Sequence, residues 1–211
     1  AKYEVYRARS LNGDYIKYST VTGTSYTNTS YIEDGNTYYY KVRALKSDGT
    51  AGAWSSIVSV TYRKPAAATV ASGKCGDSAS WKLDAEGTLT ISGTGRMTNF
   101  TKDAPAPWAD QADQITTVEV EGTVTSVGAT AFKDCTALTT VNIADGVEYI
   151  EAGAFNGCTA LTELNIPLSV GYIKTGAFKG CTALTSVTIR DNCRLDMNVF
   201  PDTVEVNYAE G

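Results

Sequence analysis

Three cysteines, Cys135, Cys158 and Cys181, recur at a strict interval of 23 residues, while Cys193 and Cys75 lie outside that register. Thiols serve a disulfide framework, a metal or dithiol redox site, or nucleophilic attack. A disulfide framework takes an even number of cysteines, and this chain has five. No Cys-x-x-Cys pair is present for zinc or dithiol exchange. A reactive thiol needs a polarising neighbour, and the sequence contains no histidine. The same absence removes Ser-His-Asp triads, histidine-ligated metals and the usual proton shuttle near neutral pH. The thiols therefore read as buried structural groups, with Cys75 unpaired. A pair of carboxylates suits glycosidase chemistry, and the chain has 23 acidic residues, but none sits in an apolar setting that would raise its pKa. No catalytic residue, cofactor or metal set is assigned, and the chain reads as non-catalytic.

The elements that hold those cysteines repeat with them. Phe132, Phe155 and Phe178 share the 23-residue offset, as do Leu138, Leu161 and Leu184. Apolar pairs precede them at Val118/Val120, Val141/Ile143, Leu164/Ile166 and Val187/Ile189, with Val127, Ile150 and Ile173 between pair and phenylalanine. Alternation in Thr140-Val141-Asn142-Ile143 marks a short strand with one apolar face. Ala154, Phe155, Cys158 and Leu161 have the spacing of one or two helical turns. One such unit cannot cover its own apolar face, but units stacked at a strand spacing of about 4.8 Å bury a continuous core. The period of 23 predicts a solenoid with a parallel sheet and short helices.

Ala131-Phe132-Lys133-Asp134-Cys135-Thr136-Ala137-Leu138, its two copies and Val147-Glu148-Tyr149-Ile150 resemble the BspA-like leucine-rich repeats of bacterial surface proteins. The resemblance covers about residues 70–211. It extends to Gly73-Lys74-Cys75-Gly76-Asp77 and Ala106-Pro107-Trp108, which look like that family's entry segment. Trp81/Leu83 and Leu89/Ile91 on either side of Asp84-Ala85-Glu86-Gly87 predict a hairpin that caps the stack. At the other end Leu195 and Phe200 arrive one residue early and Pro201 follows, so Val204 and Val206 are expected to form a last, capping strand. The expected domains are an N-terminal cap over 71–115 and repeats over 116–211.

Residues 1–63 follow another pattern. Tyr3/Val5, Tyr15, Ser25/Tyr26, Tyr38/Tyr40/Val42/Ala44 and Ile57/Val58/Val60 predict short strands separated by Asn-Gly, Asp-Gly and Gly-Asn turns. Ile32-x-x-Gly35-x-x-Tyr38-x-Tyr40-x-Val42-x-Ala44, followed by Ala53-Trp54-Ser55-Ser56, resembles the later part of a fibronectin type III domain, with Tyr38 at the tyrosine-corner position. The resemblance implies an all-β sandwich that lacks its first two strands and so leaves apolar side chains in need of cover. Residues 64–70, with Pro65 and three alanines, read as a linker. The expected whole is a piece of a longer bacterial protein.

Charge divides along the same line. Residues 1–63 carry 8 basic against 5 acidic side chains (+3), and residues 64–211 carry 10 against 18 (−8), for a net −5. Neither part has a Lys/Arg run, which argues against nucleic acid and anionic membranes as partners. No apolar run is long enough for membrane insertion. The outward strand positions Thr117, Glu119, Glu121, Thr140, Asn142, Glu163, Asn165, Ser186, Thr188 and Arg190 predict one polar sheet face, where repeat proteins recognise partners. Tyr149 and Tyr172, read as loop residues, add two aromatic anchors. The resemblance implies an extracellular or cell-wall-associated adhesion module whose partner is a host or bacterial surface protein or glycan. The alternative is a structural stalk, or an accessory of a larger secreted enzyme.

Overall fold

A computed structural model describes residues 2–210, which divide between Ala66 and Ala67 into two compact units. In the first unit β1 (Lys2–Ala8), β2 (Ile16–Val21), β3 (Thr37–Leu45), β4 (Ala51–Trp54) and β5 (Val58–Thr61) form one antiparallel sheet. Its order is β2-β1-β3-β4, and β5 pairs with the N-terminal half of β3. Successive side chains in a strand point to opposite faces. One face of this sheet carries Glu4, whose carboxylate is paired with Lys17 and Arg43 at 2.5 and 2.7 Å. The hydrogen bond from Lys17, then that from Arg43, lowers the Glu4 pKa.

The opposite face is apolar. Val5 lies across from Val42, Tyr38 across from Val60, and Tyr40 across from Val58. These residues line an open groove of about 740 Å³ in which Val42, Val58 and Val60 are 37, 57 and 53% exposed. The expected sandwich is thus a single layer among the described residues, and Ser25 and Tyr26 lie in an irregular segment rather than a strand. That segment is polar, and its backbone finds side-chain partners. The Ser30 N–H donates to Asn28 Oδ1 at 3.2 Å, and the buried Arg7 guanidinium donates to the Ser30 and Tyr31 carbonyls, both at 3.2 Å. Such local bonds compete with a ladder. Tyr38 is fully buried, and its hydroxyl accepts the Glu33 N–H at 2.8 Å.

The second unit opens with β6 (Thr69–Lys74), β7 (Ser78–Asp84) and β8 (Thr88–Arg96), an antiparallel meander. Trp81 faces Ile91 and Leu83 faces Leu89 across the expected hairpin, to which β6 adds a third strand. A 3₁₀ turn over Ala109–Gln111 follows. Then come β9 (Thr117–Val120), β10 (Thr123–Val127), β11 (Thr140–Ile143), β12 (Tyr149–Ile150), β13 (Glu163–Asn165), β14 (Tyr172–Ile173), β15 (Ser186–Arg190), β16 (Arg194–Leu195) and β17 (Glu205–Ala209). The first half of β8 pairs in parallel with β9 and its second half with β10. One strand of the cap therefore seeds two parallel ladders. The first runs β8-β9-β11-β13 and the second β8-β10-β12-β14-β16, while β15 and β17 form a separate parallel pair.

The short helices expected around Phe132, Phe155 and Phe178 are absent, and those segments are chains of turns. The reason lies in where alternate N–H groups donate. The N–H groups of Ala131, Lys133 and Cys135 close turns onto the carbonyls of Gly128, Thr130 and Phe132, three residues back. Those of Thr130, Phe132 and Asp134 instead reach the carbonyls of Ala152, Ala154 and Asn156 in the next coil. An α-helix needs every N–H for its own i→i−4 bonds, so a corner that spends every second one on its neighbour cannot be helical. The pattern recurs one coil on, with Gly153, Phe155 and Gly157 donating to Thr175, Ala177 and Lys179.

Inside the coils the aromatic rings form one column. Trp108, Phe132, Phe155, Phe178 and Phe200 stack with centroids 5.4, 5.0, 5.2 and 5.2 Å apart. The indole N–H of the buried Trp108 donates to the Ala131 carbonyl at 2.8 Å, which pins the head of the column. Phe200 joins its foot even though it follows Phe178 by 22 residues rather than 23.

Candidate functional site

The two ladders project different chemistry. On the first, register aligns Thr117, Thr140 and Glu163 in one outward row and Glu119 and Asn142 with Asn165 in the next. The second row bonds to itself: Asn142 donates to Glu119 Oε1 at 2.8 Å, and Asn165 donates to Asn142 Oδ1 at 2.6 Å. Thr140 Oγ1 lies 3.4 Å from a Glu163 carboxylate oxygen. Glu121 is exposed just past β9, and its N–H donates to the Ile91 carbonyl. Thr188 and Arg190 stand on β15, which belongs to the separate pair with β17.

Tyr149 and Tyr172 are not loop residues. They are the outward members of β12 and β14, directly paired in the second ladder, with Ser126 before them and Arg194 after. They consequently face a different side of the solenoid from Glu119, Asn142 and Asn165. Around them lies a network the sequence reading missed. Glu151, only 3% exposed, pairs with Arg96 at 2.7 Å and with Lys174. Arg96 also lies 5.0 Å from the Tyr149 ring centre, and Arg194 lies 4.5 Å from that of Tyr172. The Tyr172 hydroxyl donates to Asp196 at 2.8 Å. That bond lowers the Asp196 pKa and raises that of Tyr172. A signal for this network was present: Glu151 and Lys174 follow Tyr149 and Tyr172 by two residues in each repeat, the spacing of one strand face.

Four of the five thiols are interior, and Cys193 is half-buried. Cys135, Cys158 and Cys181 are buried, and the last two donate to the carbonyls of Phe132 and Phe155 at 3.1 and 3.3 Å. Burial pushes the Cys135 thiol up to about 12 and Cys75 up to about 11. Contact with Cys181, reinforced by burial, holds Cys158 protonated as well. All five cysteines are unpaired. Among the described residues no three His, Cys, Asp or Glu side chains converge as a metal set. No helix among them is long and apolar enough to cross a membrane.

Two parallel ladders, a 23-residue period and a continuous phenylalanine column agree with a match, in six copies over residues 110–209, to the family described as BspA type leucine rich repeat region. This segment is similar to that family. Its repeats resemble those of a leucine-rich repeat protein from Eubacterium ventriosum, with TM-score 0.50 and 25% identity over 64% of this chain and 44% of that one. A leucine rich cell surface protein from Faecalibacterium prausnitzii gives TM-score 0.45 and 25% identity over 62% and 41%. The chain thus spans less than half the length of either structure. No curated protein matches the sequence.

Proposed function

We propose that this chain is a non-catalytic binding module of a bacterial surface or secreted protein, with its leucine-rich repeats presenting a ligand face and its N-terminal unit spacing or orienting them. The carrying observation is the straight alignment, coil after coil, of outward side chains on ladders whose inward side chains are buried, with only Leu164 and Leu195 partly so. Four or five strands at about 4.8 Å give a face roughly 20 Å wide, suited to a peptide or glycan. The BspA-type match supports an extracellular or cell-wall setting. The Glu33 N–H on the Tyr38 hydroxyl supports reading the first unit as fibronectin type III-like, because a tyrosine corner makes that upstream backbone bond.

One observation favours a second reading. Glu119, Asn142 and Asn165 satisfy one another, as expected of a stalk or enzyme accessory that binds nothing on that face. The test is saturable binding of the immobilised chain to a panel of matrix proteins, mucins and glycans. A binding module captures at least one of them and loses affinity at least tenfold when an outward row is changed. A chain that saturates with none of the panel is a stalk.

A further inference from the structure

The cations around the second ladder, with Arg190 reaching it from β15, are of two kinds. Arg96 and Lys174 are neutralised by the buried Glu151 carboxylate. Arg190 and Arg194 are not: among the described residues neither guanidinium has a carboxylate within 4.0 Å. Arg190 is held by neutral acceptors, the Asn192 side chain and the Leu168 carbonyl. Arg194 lies over the Tyr172 ring. Two guanidiniums without a salt bridge in one groove are unexpected in a segment of net −8 charge, and the charge of Arg194 reaches Asp196 only as a minor influence behind the Tyr172 and Thr175 hydrogen bonds.

Both line a shallow groove of about 440 Å³ together with Tyr149, Tyr172 and Gly171, and its one carboxylate is Glu148. Asp196, the nearby acid, is occupied by the Tyr172 hydroxyl and by the Thr175 N–H and hydroxyl. Gly171 leaves the groove open, since a Cβ there would meet only Arg190 Nη1, at 3.8 Å. The two tyrosines sit on adjacent strands, spaced by about 4.8 Å. Flat aromatic side chains at that spacing suit the C–H face of a sugar ring, and a guanidinium fork fits a carboxylate bidentately. β12 and β14, which carry the two tyrosines, are each paired on both sides, so an acidic peptide could add a strand only at β16, the two-residue end of the ladder.

We propose that this groove binds a carboxylate-bearing glycan, with Tyr149 and Tyr172 against the sugar and Arg190 and Arg194 on the carboxylate. This rests on the binding-module reading and gives the class of ligand for one part of its surface. The full chain is titrated calorimetrically with three probes: a hyaluronan hexasaccharide as uronate source, sialyllactose as sialate source, and a polyglutamate peptide. Lactose and the carboxyl-reduced hexasaccharide serve as neutral controls. The expected result is saturable binding to at least one acidic sugar, weakened at least tenfold by carboxyl reduction, by Arg190→Gln with Arg194→Gln, and by Gly171→Leu. Raised salt weakens it too. Tyr172→Phe keeps the ring and is expected to keep most of the affinity, whereas Tyr149→Ala loses it. Equal binding of charged and neutral sugars, binding only of polyglutamate, or retention in the double arginine variant overturns the proposal. If the acidic sugars are silent while a matrix protein or mucin still saturates the chain, the groove assignment falls and the binding module stands. Silence across every probe removes both.

Discussion

Phe155 and Phe178, 23 residues apart, stack with their ring planes 3° from parallel and their centroids 5.2 Å apart. Each ring is the floor of one coil and the ceiling of the next, so neither coil has a closed core without the other. Phe155→Ala removes a ring from the middle of the column. The expected cost is about 3–5 kcal/mol, the range for a buried phenylalanine that leaves a cavity. Urea denaturation followed through Trp81 and Trp108 fluorescence measures it, and a cost under about 1 kcal/mol would show that the coils close independently.

The coil corner imposes a backbone conformation at equivalent positions. Asp134 has φ 59°, and its counterparts Gly157 and Gly180 both have φ 80°. The left-handed region costs a residue with a Cβ about 1 kcal/mol, less for Asp than for most. Asp134→Gly is therefore expected to stabilise the chain by up to about 1 kcal/mol. Gly157→Ala is expected to destabilise it by more, because a residue with a Cβ is strained at φ 80° and the new Cβ would also displace the Asp134 carboxylate. Thermal unfolding of the two variants side by side tests the opposite signs.

Glu151 holds two cations from inside the protein surface. Glu151→Gln keeps the shape and removes the charge, leaving Arg96 and Lys174 without their acid. A loss of about 1–3 kcal/mol is expected, since each lost charge-assisted bond lies in that range and both cations retain some solvent. The loss should shrink in 1 M salt. A neutral effect in chemical denaturation would show that the network orients side chains without stabilising the fold.

Raised thiol pKa values contribute to alkaline destabilisation. Cys135 and Cys75 hold their protons to about 12 and about 11 when folded, against 9.0 ordinarily. The unfolded chain ionises first, so their stabilisation is fully present below about pH 9 and is lost as pH rises from there through the folded values. Each thiol removes about 1.4 kcal/mol per pH unit within that window. Melting temperature from pH 8 to 10.5 should fall more steeply for the wild type than for Cys135→Val, a comparison that cancels tyrosine ionisation. Parallel slopes would mean that Cys135 titrates normally.

Much of this architecture is legible in the residues. The 23-residue register names the inward column of Phe132, Phe155 and Phe178 and the buried thiols, because identical neighbours recur at identical offsets and only stacking buries them all. The capping hairpin is legible for a similar reason, as Trp81/Leu83 and Leu89/Ile91 alternate around one turn. In the first unit β1, β3 and β5 are legible, whereas Tyr15 and Ser25/Tyr26 lie outside strands, and the sandwich is not legible, since the strands of one sheet carry no information about whether a second sheet covers Val42, Val58 and Val60.

The candidate surface was legible only in part. Outward and inward positions follow from strand alternation, a local property of the backbone. Which outward residues share a face does not. Tyr149 and Tyr172 looked like loop residues because two-residue strands leave almost no alternation to detect, and their pairing comes from the coil above and the coil below. The missing helices have the same origin: apolar spacing at Ala154, Phe155, Cys158 and Leu161 fits a helix as well as a turn, and hydrogen bonds from Phe155 to Ala177 and Gly157 to Lys179 decided between them. Composition and period settle the repeat, its interior and the absence of histidine chemistry, all of which depend on residue type and offset alone. The second ladder, the Glu151 network and the groove that Arg190 and Arg194 line exist only once coils lie side by side, because apart from the local Arg190–Asn192 bond the contacts that define them join residues about one repeat or more apart in the chain.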